Sequence, residues 1–158
     1  MKMLVIAALA LVAAPFLPAL AQTVEGPGAA ADPPEISFSR WSYSGCEGSS
    51  VTLTVEKDGD GEAAVDYTTV DANSPNPNSV ATAGVDYVST SGSLYFASGD
   101  TEKTITVNTI ADTDVTESSE LLQVKLSLRS GSDGADDSAT LVSPWVSAVT
   151  ILNVGTSC

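Results

Sequence analysis

From Ile36 onward the chain alternates between apolar and polar positions. In "SVTLTVEK", Val51, Leu53 and Val55 take one parity while Thr52, Thr54 and Glu56 take the other. A period of two sends successive side chains to opposite faces of an extended backbone, so each such run predicts a half-buried strand. The same pattern recurs in "ISFSRWSY", "AAVDYTTV", "GSLYFAS", "KTITVNTI", "ELLQVKLSLRS" and "VSAVTILNV". In "ELLQVKLSLRS" the in-phase positions are Leu122, Val124, Leu126 and Leu128. "DGDGE" reads as a hairpin turn, and "SGDTE" as a second tight turn. No helical stripe competes with this reading. Short strands rich in Thr and Val predict an all-β fold, a seven-stranded antiparallel Greek-key (immunoglobulin-like) β-sandwich. Two longer connections interrupt it: "DANSPNPNSVATAG", read as an exposed loop, and the acidic "SGSDGADDSATLVSP".

The chain before Ile36 has a different character. "MKMLVIAALALVAAPFLPALAQ" carries Lys2, an apolar run and an Ala19-Leu20-Ala21 site, the pattern of a secretory signal peptide spanning residues 1–21. An uncleaved membrane anchor is the other reading of the run. Residues 22–34 are rich in Gly, Ala and Pro and predict a flexible leader. Residues 35–158 then form one domain of ordinary size. With the signal cleaved, no stable membrane span remains, and the product is expected to be secreted, periplasmic or on the cell surface.

Charge narrows the partners. Twenty Asp and Glu stand against six Lys and Arg, a formal charge of −14, and there is no His. Such a surface repels nucleic acid and anionic membranes, whereas divalent cations and basic partners suit it. The absence of His removes Ser-His and Cys-His nucleophile systems. Two cysteines, Cys46 and Cys158, remain. In an oxidising compartment an isolated pair usually bonds, within one chain or between two.

A dense run of like charge lies in "IADTDVTESSE", where Asp112, Asp114, Glu117 and Glu120 follow one another with no cation among them. This segment joins two predicted strands, so its carboxylates gather at one end of the sandwich. Ca²⁺ takes six to eight hard oxygen ligands, and a D-x-D-x-x-E-x-x-E connection supplies many of them. A solvated acidic surface is the plain alternative. Glu117 and Glu120 as a hydrolytic acid/base pair would need a substrate cleft. "KDGDGE" contains a fragment of an EF-hand loop but lacks the later Glu and the flanking helices.

The order of "GCEGSSVTLTVEK", "ATAGVDYVSTSGSLYFASGDTEKTITVNTIADTDVTESSELLQVKLSL" and "AVTILN" resembles the Calx-β domain, a calcium-binding sandwich module. The resemblance runs from about Ile36 to Asn153. It implies a calcium shell drawn from Glu47, Asp86, Asp112, Asp114, Glu117 and Glu120, with Asn153 adding an uncharged oxygen. Two departures follow from the same comparison. Thr113 stands where calcium-responsive members have consecutive aspartates, and Asn153, Val154 and Gly155 replace an acidic run after the last strand. Fewer charged ligands imply one site or two, with affinity of roughly 10⁻⁴ to 10⁻³ M, as in extracellular modules. In the family the positions of Cys46 and Cys158 both lie at the calcium end, which implies a Cys46–Cys158 disulfide within the chain. The implied role is non-catalytic: adhesion, surface structure or contact with another protein or surface component. A metal-free interaction module with a degenerate site is the alternative. Trp41, Tyr43 and Trp145 are expected in or at the edge of the core rather than as a sugar platform.

Overall fold

Alternation becomes layering in the computed structural model, which describes residues 33–113, 118–129, 139–153 and 158. The expected signal peptide, and the expected leader up to residue 32, lie outside these described residues. Among the described residues no helix is long and apolar enough to cross a membrane.

Among the described residues nine strands make two sheets. They are β1 (Glu35–Phe38), β2 (Ser42–Cys46), β3 (Ser50–Asp58), β4 (Ala63–Asp71), β5 (Ser91–Phe96), β6 (Glu102–Asn108), β7 (Glu120–Leu128), β8 (Thr140–Leu141) and β9 (Val146–Leu152). One sheet has the order β6-β3-β1-β8 and the other β2-β9-β7-β4-β5. The all-β sandwich therefore holds, with nine strands in place of seven. The run "ISFSRWSY" is two strands, because its inward phase shifts from Ile36 and Phe38 to Tyr43. Ser39, Arg40 and Trp41 carry the chain from one sheet to the other. The late acidic connection likewise contributes β8 before crossing to β9. These two switching segments run side by side, so β1 pairs in parallel with β8 and β2 with β9. The remaining ladders are antiparallel.

β4 and β5 are the one consecutive pair hydrogen-bonded within a sheet; the other connections between consecutive strands pass between sheets. "DGDGE" is therefore an arch from β3 to β4, not a hairpin turn. Lys57 explains its shape: buried on the inner face, its Nζ donates to the Gly61 carbonyl at 2.6 Å, which gives the buried ammonium an acceptor.

The inner faces hold Ile36, Phe38, Leu53, Val55, Val65, Phe96, Ile105, Val107, Leu122, Val124, Val149 and Ile151, all at most 1% exposed. Fully burying each such side chain is worth about 1.5–3 kcal/mol. Tyr43 packs against this core, and its hydroxyl bonds Ser39 and the Thr54 backbone. Trp41 and Trp145 depart from expectation, being 68% and 48% exposed. They lie in the two sheet-switching segments, between β1 and β2 and between β8 and β9.

Candidate calcium end

At one end of the sandwich β2, β4, β6 and β9 finish, and β3, β5 and β7 begin. Four segments meet there, and backbone hydrogen bonds lock them together.

The turn after β2 carries Glu47. Its N–H donates to the Leu152 carbonyl at 3.1 Å, which ties it to the end of β9. Gly48 follows with φ +66°, a left-handed conformation that glycine adopts without steric cost. A Cβ on Gly48 would lie 2.8 Å from the Ala111 Cβ. The Glu47 turn is thus pressed against the residue preceding Asp112.

Thr109 holds the two segments in register. It extends the inward phase of β6 beyond Ile105 and Val107 and is buried. Its hydroxyl donates to the Cys46 carbonyl at 2.7 Å and accepts from the Ser49 N–H at 2.9 Å. Its own N–H donates to the Ser49 carbonyl at 2.9 Å. The hydroxyl and the N–H of this buried residue are thus both engaged, as burial requires.

Asp86 enters from the turn "TAGVDY". Its Oδ2 accepts from the Thr82 N–H at 2.6 Å, and its carbonyl accepts from the Ile110 N–H at 2.8 Å. The residue therefore closes its own turn and fixes the chain two positions before Asp112. Tyr87 anchors the same turn in the core. It is 1% exposed and its hydroxyl donates to Asp71 Oδ1 at 3.0 Å. Burial first, and then the Asp71 carboxylate, push its pKa up to about 12.

Glu120 and Asn153 approach from the facing strands. Glu120 is opposite Ile151 and shares the inward phase of Leu122 and Val124. Asn153 continues the inward phase of Val149 and Ile151 and is 1% exposed. The two are diagonal neighbours on one inner face. Cys46 and Cys158 are joined as a disulfide, with Cα atoms 5.9 Å apart, beside Glu47 and beyond Asn153.

Glu47, Asp86, Asp112, Glu120 and Asn153 thus belong to segments that converge on one end. Asp114 and Glu117 lie outside the described residues. Among the described residues no three Asp, Glu, His or Cys side chains close into a metal-holding group. The donor chemistry fits Ca²⁺ all the same: carboxylate and amide oxygens are hard ligands, and the one sulfur pair nearby is tied up in its bridge. Sequence reasoning missed Gly48, Thr109 and Tyr87. Thr109 had a readable signal, a polar residue at an in-phase inward position.

Comparison with known proteins follows the same outline. The family model of the Calx-beta domain matches residues 30–155. The crystal structure of the apo-form Calx CBD1 domain is similar at 28% identity and a TM-score of 0.62, covering 77% of this chain and 97% of that one. The calcium binding domain CBD12 of CALX1.1 is similar at 29% identity and a TM-score of 0.59, covering 75% of this chain and 44% of that one. No curated protein matches.

Proposed function

The chain belongs to the Calx-beta domain family, and from that premise we propose that it is an exported, non-catalytic module that binds calcium weakly at the end where its four segments interlock. Glu47, Asp86, Asp112, Asp114, Glu117 and Glu120 would supply carboxylate oxygens, and Asn153 an amide oxygen. A bound divalent cation would neutralise carboxylates that otherwise repel one another. The observation that carries the reading is the lock around Thr109, which draws the Glu47 turn onto the acidic connection. We read its role as adhesion, surface structure or contact with another protein, a reading that membership of a family of binding modules supports. The Cys46–Cys158 bridge suits an oxidising compartment.

A second reading, a metal-free interaction module, draws on Thr113 and on the uncharged Asn153 where carboxylates would strengthen a site. Thermal melting separates the two. With a Kd of about 0.2 mM, about 2 mM free Ca²⁺ contributes RT ln(1 + [L]/Kd), about 1.4 kcal/mol, and raises Tm by about 3–6 °C. Magnesium does less, because it prefers a small rigid octahedron and retains its waters. A Tm unchanged from chelator to about 10 mM calcium, a concentration well above the weakest extracellular sites, selects the metal-free module.

A further inference from the structure

We propose that the Cys46–Cys158 disulfide is a positioning clamp for the calcium end, so that its reduction lowers calcium affinity while the sandwich stays folded. The proposal rests on the calcium reading above and adds a redox dependence to it.

The placement of the bridge carries the argument. β2 and β9 run in parallel, and their last residues, Cys46 and Leu152, are register partners. The next residue on each strand is a candidate ligand, Glu47 on one and Asn153 on the other. One backbone bond, from the Glu47 N–H to the Leu152 carbonyl, continues the pairing past the strand ends. Beyond it, a covalent link joins Cys158 to Cys46, the residue next to Glu47. β2 is an edge strand of its sheet, with β9 as its sole ladder partner. An edge strand of five residues frays at its end unless something holds it.

The global fold has other supports. Eight strands besides β2 are laddered, and the buried core draws on both sheets. Loss of the bridge should therefore loosen the Glu47 turn and Asn153 before it unfolds the sandwich. Cys158 is exposed and open to a reductant.

The chemistry balances with a soluble dithiol. One of its thiolates attacks a sulfur of the bridge and forms a mixed disulfide, and its second thiol displaces the protein sulfur. Two electrons and two protons pass to Cys46 and Cys158, which become thiols, and the dithiol becomes a cyclic disulfide. Coupling of this kind is reciprocal, so bound calcium should make the bridge harder to reduce by the same factor.

The test is a calorimetric titration of CaCl₂ into the oxidised chain, the dithiol-reduced chain and a Cys46→Ser/Cys158→Ser variant. Hydrogen exchange is followed on the same three samples without metal. Reduction and the double substitution are each expected to weaken calcium binding about tenfold, inside the usual span of site-to-site coupling. The Glu47 amide should exchange about tenfold faster, with core amides of β4 and β7 still protected. Equal affinity and equal Glu47 exchange in all three samples would overturn the clamp and leave the calcium reading standing. An oxidised chain that takes up no calcium defeats the calcium reading, and the clamp with it, whatever the exchange. A reduced chain that unfolds outright also overturns it, because the bridge would then hold the whole fold rather than this end.

Discussion

Two acidic segments of this protein look alike on paper and differ in space. "KDGDGE" carries Asp58, Asp60 and Glu62 in an arch whose carboxylates face water. Its one buried charge is Lys57, satisfied by the Gly61 carbonyl, and Asp58 accepts a hydrogen bond from the N–H of Gly59 next to it. "IADTDVTESSE" begins instead with Thr109 bonded to Cys46 and Ser49 just before it, and with Ile110 bonded to Asp86. Charge density is similar in both. What separates them is how many other chain segments arrive, and a metal shell needs several.

Gly48, in the turn packed against the second segment, and Gly61, in the first, give the largest expected contrast. Gly48→Val meets the Ala111 side chain and also forces a β-branched residue into positive φ, so it should cost about 3 kcal/mol. Gly61→Ala has positive φ but open space around it, and should cost about 1 kcal/mol. Urea unfolding of both variants reads the difference directly. Equal costs would mean that the Gly48–Ala111 contact is not a close one.

Charge removal sharpens the comparison with a smaller effect. Asp112→Asn should abolish most of the calcium-induced gain of about 1.4 kcal/mol while leaving the chelator-treated protein as stable or slightly more so. Asp60→Asn should change neither value by more than about 0.5 kcal/mol, as for an ordinary surface substitution. Melting curves with and without calcium check both. A calcium gain that survives Asp112→Asn and disappears in Asp60→Asn would move the site to the arch.

The smallest effect concerns two tyrosines. Tyr87, at the interlocked end, has its pKa raised by burial and then by Asp71. Tyr95, beside the arch, is raised by its hydrogen bond to the Glu62 carboxylate and is exposed. A phenol with a raised folded-state pKa contributes fully below its unfolded value of about 10 and loses that contribution as pH climbs through the folded value. Stability should therefore fall between pH 10 and about 12. Tyr87→Phe should flatten that fall and cost about 1 kcal/mol at neutral pH for the lost hydrogen bond. Tyr95→Phe should leave the alkaline slope nearly as it is. Denaturant midpoints across the alkaline range decide between them.

Much of the fold was legible in local pattern, and particular residues mark where legibility stops. Val51, Leu53 and Val55 announced their face because the strand period is a property of the backbone itself. Trp41 and Trp145 did not announce their exposure, since large aromatics are apolar wherever they stand, and only the sheet switch leaves them uncovered. The arch at Asp58–Glu62 read as a hairpin because turn residues report a reversal of direction, not the sheet in which the chain continues.

The sequence by itself determined the all-β class, most of the strands with their inward faces, and the kind of donor atom this protein offers. Each of these follows from side-chain chemistry and near neighbours: alternation marks strands, and a chain without His and rich in Asp and Glu offers hard oxygen. Only the tertiary structure decided which strands share a sheet and which loops meet at one end. Ser49 and Thr109 bond across a sequence separation of 60, and Cys46 and Cys158 across one of 112. No local pattern encodes such a meeting, because its free energy arises from burying both sheets against each other and appears only once the whole sandwich has closed.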